Sequence, residues 1–156
     1  MPDKLAAPDP AMLTLQAGLF LLLLLAASLS DLKRREIPDR LQLAIAALTF
    51  LSFSPGNLWG ILGALPYLLV ALFFGGCEGM GGGDIKLAAA TGVVLGLPAS
   101  LTASILGLGS MCLVCGLIIV KHRIHGKKEK IPFPVGPFLA AGAVAAYFMK
   151  IGGFIL

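Results

Sequence analysis

Five of the eight acidic residues lie in two short stretches that join apolar segments: Asp31, Glu36, Asp39, Glu78 and Asp84. Asp31 directly follows one apolar segment, and Asp84 directly precedes another. Two carboxylates that share a site do not both ionise easily, so one keeps a proton while the other acts as a base. Such a pair can activate water and polarise a carbonyl group, which permits peptide hydrolysis without a metal ion. Asp31 and Asp84 are therefore the predicted catalytic pair.

The sequence lacks the patterns of other hydrolytic sites. His122 and His125 do not have the H-E-x-x-H spacing of zinc proteases, and no serine lies in a G-x-S-x-G motif. Cys112 and Cys115 form a C-x-x-C inside an apolar run, without a second pair to complete a zinc site. We interpret these cysteines as packing residues of a membrane helix, and we predict no metal and no cofactor.

Each aspartate also has a purely structural interpretation. Asp84 stands before a predicted helix, where aspartate is a good N-cap. Asp31 is close to the basic residues that follow it in the sequence, as in an ion pair at a membrane interface. The glycines at 81–83 favour the catalytic interpretation, because they leave the backbone open where a substrate strand would lie and they permit positive φ.

The composition indicates a membrane protein. Of 156 residues, 58% are hydrophobic and 13% are charged, whereas soluble domains have about 25% charged residues. A transmembrane helix needs about 20 apolar residues, and breaks such as Ser54-Pro55-Gly56-Asn57 separate the apolar runs. The sequence predicts one all-α domain, 1–156, a bundle of six transmembrane helices at approximately 11–30, 41–53, 58–74, 85–97, 99–120 and 131–155.

The positive charges predict the orientation of this bundle. Most of the 12 Lys and Arg residues fall in the connections after predicted helices 1, 3 and 5, and the other two connections carry no charge. Positive loops face the cytoplasm, so both termini are predicted outside a bacterial inner (plasma) membrane. The fourth predicted helix, 85–97, is short, which places Asp84 inside the membrane boundary. An ionisable residue there indicates a functional site.

Four stretches resemble a known family: S-D-L-K-R-R at 30–35 with Ile37 and Pro38, E-G-M-G-G-G-D-I-K-L at 78–87, the region 92–97, and P-F-P-V-G-P-F-L at 132–139. Together they are similar to the bacterial type IV prepilin peptidases, which are G-x-G-D intramembrane aspartyl proteases. A lone G-x-G-D is a weak signal. The longer motif at a predicted cytoplasmic helix start, with an aspartate at the end of the first helix, is far more specific.

The resemblance implies an aspartic endopeptidase that removes the basic leader peptide from type IV prepilin or pseudopilin precursors. Cleavage is implied at the cytoplasmic face, just after a glycine, while the hydrophobic helix of the substrate stays in the membrane. Asp31 and Asp84 are the implied catalytic residues. The resemblance also implies four residues that bind substrate or shape the site: Glu78, Gly81, Gly83 and Lys86.

Two features depart from the family pattern. Asp39 stands where the family usually has asparagine, and it is interpreted as a cap of the second helix in preference to a catalytic residue. Larger members carry a cysteine-rich cytoplasmic insert and also N-methylate the new N-terminus. This sequence has no such insert, so the resemblance implies a minimal six-helix peptidase and does not extend to N-methylation.

Other functions use similar residues. An ion- or proton-coupled transporter or channel subunit is the main alternative, although transporter sites usually lie near the midplane between repeats. A non-enzymatic anchor of a secretion machine is the third interpretation. The predicted partners are prepilin-like substrates and the lipid bilayer; a homodimer is left open. No nucleic-acid partner is predicted, because topology and anionic lipid explain the basic loops.

Overall fold

A computed structural model describes residues 10–73, 81–125 and 134–154, and the regular elements in these ranges are all helical. This confirms the all-α prediction. The chain forms two 3₁₀ segments, Leu48–Ser52 and Pro55–Ala64, and six α-helices: α1 Pro10–Arg34, α2 Asp39–Ala47, α3 Leu65–Phe73, α4 Gly82–Leu95, α5 Leu97–His125 and α6 Gly136–Ile151.

Helix α1 buries one narrow face and exposes the other. The buried residues recur every three or four positions: Gln16, Phe20, Leu24, Ala27 and Asp31. Large leucines fill the exposed face: Leu15, Leu22, Leu25, Leu29 and Leu32. This spacing is that of a helix with one packed stripe, and its last member is Asp31. The same pattern that packs α1 into the bundle therefore carries a carboxyl group into the interior.

Glycines bring the central helices into backbone contact. A Cβ added at Gly60 would overlap the backbone of Gly92 in α4, and a Cβ added at Gly92 would overlap Gly60. A Cβ added at Gly142 of α6 would likewise overlap the backbone of Gly107 in α5. Close approach through small residues is the usual way in which membrane helices associate. The core around α4 is consequently tight.

Gly96 separates α4 from α5. It has φ of 81°, a left-handed conformation that glycine adopts readily and other residues rarely do. Helix α5 begins at the next residue. The Lys150 ammonium group of α6 donates a hydrogen bond to the Leu95 carbonyl at 2.7 Å, which satisfies one of the carbonyl groups left open at the end of α4.

Several helix ends differ from the predicted ones. Helix α1 continues past residue 30 to Arg34, and α4 begins at Gly82 instead of 85. The two predicted aspartates therefore lie inside helices and do not flank them. The second and third predicted helices each contain a 3₁₀ segment, and α6 begins at Gly136 instead of 131. Pro137 follows at the start of α6, where a missing N–H costs no hydrogen bond.

Three stretches of the described chain are long and apolar enough to cross a membrane: Pro10–Arg34, Pro55–Phe73 and Leu97–Lys121. Only 17–22% of their most apolar windows is buried within the bundle, so most of their surface is free to face lipid. Helix α6 is apolar but shorter, at 16 residues. Six crossings require the shorter helices to enter the membrane as well, and that topology stays a prediction.

Candidate active site

Asp31 lies in the last turn of α1 and is held by the start of α6. Its side chain is 8% exposed, and its Oδ2 atom accepts a hydrogen bond from the Gly136 N–H at 2.9 Å. A Cβ at Gly136 would lie 2.7 Å from that same oxygen. The first N–H groups of a helix have no partner within the helix. Gly136 uses one of them to orient the Asp31 carboxylate, and only glycine allows the approach.

Asp84 is the third residue of α4 and is 6% exposed. Its Oδ2 atom accepts a hydrogen bond from the Gly81 N–H at 3.2 Å. Gly81 is the N-cap, and it has no side chain to complete the reciprocal half of a capping box. The structure thus corrects the expectation that Asp84 precedes the helix. A carboxylate in the first turn is still favoured by the positive end of the helix dipole.

The two carboxyl groups are near enough for their charges to interact, although 53 positions separate them in the sequence. They are the two buried acidic side chains in the part of the chain that the structure describes. Each carboxylate is oriented by a backbone N–H, Asp31 by Gly136 of α6 and Asp84 by Gly81 at the start of its own helix. Their pairing in catalysis stays a prediction.

Lys86 and Asp39 form an ion pair on the surface of the bundle. Their Nζ and Oδ1 atoms are 3.1 Å apart, and the side chains are 63% and 70% exposed. Pro38 is the N-cap of α2 and Asp39 is its first residue, so Asp39 is not the cap that we expected. The pair links α2 to α4 at the surface, where such bridges contribute about 0–1 kcal/mol. Glu78, the remaining predicted site residue, lies outside the described residues.

Gly81 and Gly83 leave room beside Asp84. Gly81 has φ of −82°, and positive φ among the described glycines occurs at Gly96 and Gly153. Positive φ, which glycine permits, is therefore not used at 81–83. Among the described atoms, a Cβ at Gly83 would be 3.8 Å from the nearest and a Cβ at Gly81 3.9 Å, which are ordinary contacts. The described fold itself can accept alanine at both positions.

Sequence reasoning missed two residues that build the site. Gln42 of α2 is 5% exposed, and its Nε2 atom donates to the Gly83 carbonyl at 3.1 Å and to the Ile37 carbonyl at 3.4 Å. This amide ties the start of α2 to the first turn of α4. The available signal in the sequence was that Gln42 stands three positions before the apolar Ile45, because residues three positions apart lie on the same face of a helix. The second residue is Gly136, which lies in a motif already noted, but its contact with Asp31 could not be read from spacing.

Helix content and apolar stretches define the chain as a multi-pass, all-helical membrane protein. Residues 18–120 match the type IV leader peptidase family. The chain belongs to this family of peptidases.

Named relatives agree with this assignment. The prepilin leader peptidase/N-methyltransferase of Bacillus subtilis (strain 168) is 33% identical over 139 residues, which cover 84% of this chain and 54% of that protein. The protein of the same name from Pseudomonas aeruginosa is 34% identical over 159 residues, with 85% and 50% covered. One from Burkholderia pseudomallei (strain K96243) is 32% identical over 154 residues, with 85% and 46% covered. The chain thus spans about half the length of these relatives. No solved structure matches it significantly.

Proposed function

We propose that this protein is an intramembrane aspartyl endopeptidase that removes the basic leader peptide from type IV prepilin or pseudopilin precursors, after a glycine. The observation that carries the proposal is the pair of buried, interacting carboxyl groups of Asp31 and Asp84. Burying one ionised carboxylate is costly, and burying two in one site is more so. A pair that holds one proton between its members avoids part of that cost and is the form needed for catalysis.

The proposed reaction uses both members of the pair. The ionised carboxylate takes a proton from a water molecule, and the resulting hydroxide attacks the scissile carbonyl carbon. The protonated carboxyl group donates a hydrogen bond to the carbonyl oxygen and stabilises the charge that develops there. Collapse of the tetrahedral intermediate breaks the C–N bond, and the departing amine receives a proton from the pair. The backbone N–H groups of Gly136 and Gly81 keep one oxygen of each carboxylate fixed.

The glycines before Asp84 offer the approach for the substrate. Gly81 and Gly82 are exposed while Asp84, two residues further on, is buried. An extended polypeptide can therefore lie along this backbone and present a peptide bond to a carboxyl group that bulk water reaches poorly. The role of Glu78 and Lys86 in binding the leader is part of the same proposal. Lys86 lies on the exposed side of this turn, next to Asp39.

We place the site at the cytoplasmic face of a bacterial inner membrane. Asp31 is followed within the same helix by Lys33 and Arg34, and basic residues of this kind stay on the cytoplasmic side. This orientation puts both termini outside. The relatives are also named N-methyltransferases; because the chain spans about half of their length, our proposal is limited to the peptidase reaction.

The test is cleavage by the purified protein. Detergent-solubilised protein is incubated with a prepilin-like substrate, and the products are identified by mass spectrometry. Wild type should release a leader that ends in glycine. Asp31→Asn and Asp84→Asn should each abolish cleavage, because an amide cannot exchange the shared proton. Asp39→Asn is the matched control and should stay active, since Asp39 lies at the surface and is 70% exposed.

The outcomes separate the alternatives. Substantial turnover by either Asn variant, at matched protein levels, would remove that residue from the catalytic pair. An inactive but folded Asp39→Asn protein would instead place Asp39 in the site. Cleavage at a position other than the one after glycine would refute the proposed specificity while leaving the peptidase assignment intact.

A further inference from the structure

A small cavity lies between α3, α4, α5 and α6. Its lining includes four buried hydroxyl side chains: Tyr67, Thr91, Ser100 and Ser104. Four hydroxyl groups around one cavity are unusual in an otherwise apolar core. The space open to the centre of a water molecule is about 10 Å³, close to the smallest volume that holds one water.

The Tyr67 hydroxyl is the group in this cavity that lacks a partner. The residue is 2% exposed, and its oxygen has no hydrogen-bond partner among the described residues. A Cβ added at Gly107 would overlap this oxygen, so the hydroxyl is packed against the α5 backbone and cannot reach the surface. A hydroxyl left unpaired in a nonpolar interior is destabilising, and lipid outside the bundle offers no alternative partner.

The other three hydroxyl groups have already used their protons. Thr91 donates to the Leu87 carbonyl at 3.0 Å, Ser100 to the Leu97 carbonyl at 2.9 Å, and Ser104 to the Gly63 carbonyl at 2.5 Å. Each oxygen keeps lone pairs that can accept a hydrogen bond. The cavity thus contains one hydroxyl that needs an acceptor and three oxygens that can accept from a donor.

We propose that this cavity is a binding site for one ordered water molecule. Tyr67 donates its proton to the water oxygen, and the water donates its two protons to two of the three hydroxyl oxygens. This arrangement satisfies every donor with an acceptor, and three partners are typical of a buried water. A larger polar ligand does not fit the volume, and an apolar one would leave Tyr67 unpaired.

The position of the site relates it to Asp84. Asp84, Ala88 and Thr91 are four and three positions apart on α4, so they share one face. Thr91 lies two turns beyond Asp84, about 10 Å along the helix axis. The proposed water therefore occupies the interior side of α4 below the carboxyl pair, on the helix that also carries the exposed glycines at its start.

A structure and a stability cycle test the proposal without any activity assay. A high-resolution crystal structure should show one water within hydrogen-bond distance of the Tyr67 hydroxyl and of Thr91, Ser100 or Ser104. Tyr67→Phe should lose that density while the rings superimpose. An empty cavity in the wild type, or a Tyr67 hydroxyl bonded to a protein atom, would overturn the proposal.

The stability cycle combines Tyr67→Phe with Thr91→Val, which both remove a hydroxyl and keep the side-chain shape. If both groups bind one water, the fall in unfolding temperature of the double variant is smaller than the sum of the two single falls. Thr102→Val is the matched control, because Thr102 makes the same bond within α5, to the Pro98 carbonyl at 2.9 Å, and does not line the cavity. Tyr67→Phe and Thr102→Val should be additive. Additivity of Tyr67→Phe with Thr91→Val, and also with Ser100→Ala and Ser104→Ala in matching cycles, would refute a shared water.

Discussion

The Asp31 carboxylate depends on a residue that has no side chain. The Gly136 N–H holds Oδ2 at 2.9 Å, and the space beside it is too small for a methyl group. This contact joins the end of α1 to the start of α6, so it fixes the carboxylate against a different element from the one that carries it. The orientation of a proposed catalytic group is thus set by backbone geometry.

Gly136→Ala should therefore reduce cleavage strongly. The new methyl group forces Asp31 away and breaks its hydrogen bond, and a bond to a charged group contributes about 1.5–3 kcal/mol. We expect turnover to fall about tenfold or more, measured as the initial rate of leader release. Gly18→Ala in α1 is the control, since its Cβ meets no described atom within 4 Å. Normal turnover in Gly136→Ala would mean that Asp31 needs no such support.

Gly83→Ala should distinguish a requirement for substrate binding from a requirement for folding. The nearest described atoms would be in ordinary contact with the new Cβ, so the unfolding temperature should change little. Activity should nevertheless fall, because the methyl group crowds an approaching substrate backbone. Thermal unfolding and cleavage are measured on the same preparation. If the variant cleaves at the normal rate, Gly83 serves only the start of α4 and not the approach of the substrate.

At the scale of elements, the sequence predicted the helical class but not the helix ends that matter most. Aspartate is favourable both as an N-cap and in the first turn, so its type could not decide where α4 begins. The contacts that build the site join distant residues: Gln42 reaches Gly83 across 41 positions, and Gly136 reaches Asp31 across 105. No local spacing encodes such contacts, whereas the buried stripe of α1 is local and can be read directly.

The packing of α4 on the second 3₁₀ segment leads to a prediction about stability. Gly92→Ala puts a methyl group into the Gly60 backbone, which cannot move aside as a side chain can. Overpacking of this kind costs about 1–3 kcal/mol. We expect a lower unfolding temperature in detergent, and a loss of activity that follows the loss of folded protein. Gly109→Ala in α5 has open space around its Cβ and should be neutral or stabilising, since alanine favours a helix. Equal stability of both variants would contradict the close packing.

For the whole molecule, the orientation in the membrane is the prediction to test. In a variant whose three cysteines are replaced by alanine, a single cysteine is placed at Ser54 or at Lys33. A membrane-impermeant maleimide should label Ser54→Cys in intact spheroplasts, because this residue lies in an uncharged connection predicted to face outward. Lys33→Cys should be labelled only after permeabilisation. The reverse pattern would place the carboxyl pair on the outer face and would exclude cytoplasmic cleavage.

Helix α6 contacts both helices that carry the carboxyl pair. Gly136 at its first turn binds Asp31 of α1, and Lys150 at its last turn binds the end of α4. The Tyr147 ring packs on Phe20 of α1 with centroids 5.0 Å apart. Helix α6 therefore braces α1 and α4 against each other, and a displacement of α6 would strain its contacts with Asp31 and with the C-terminal end of α4 at the same time.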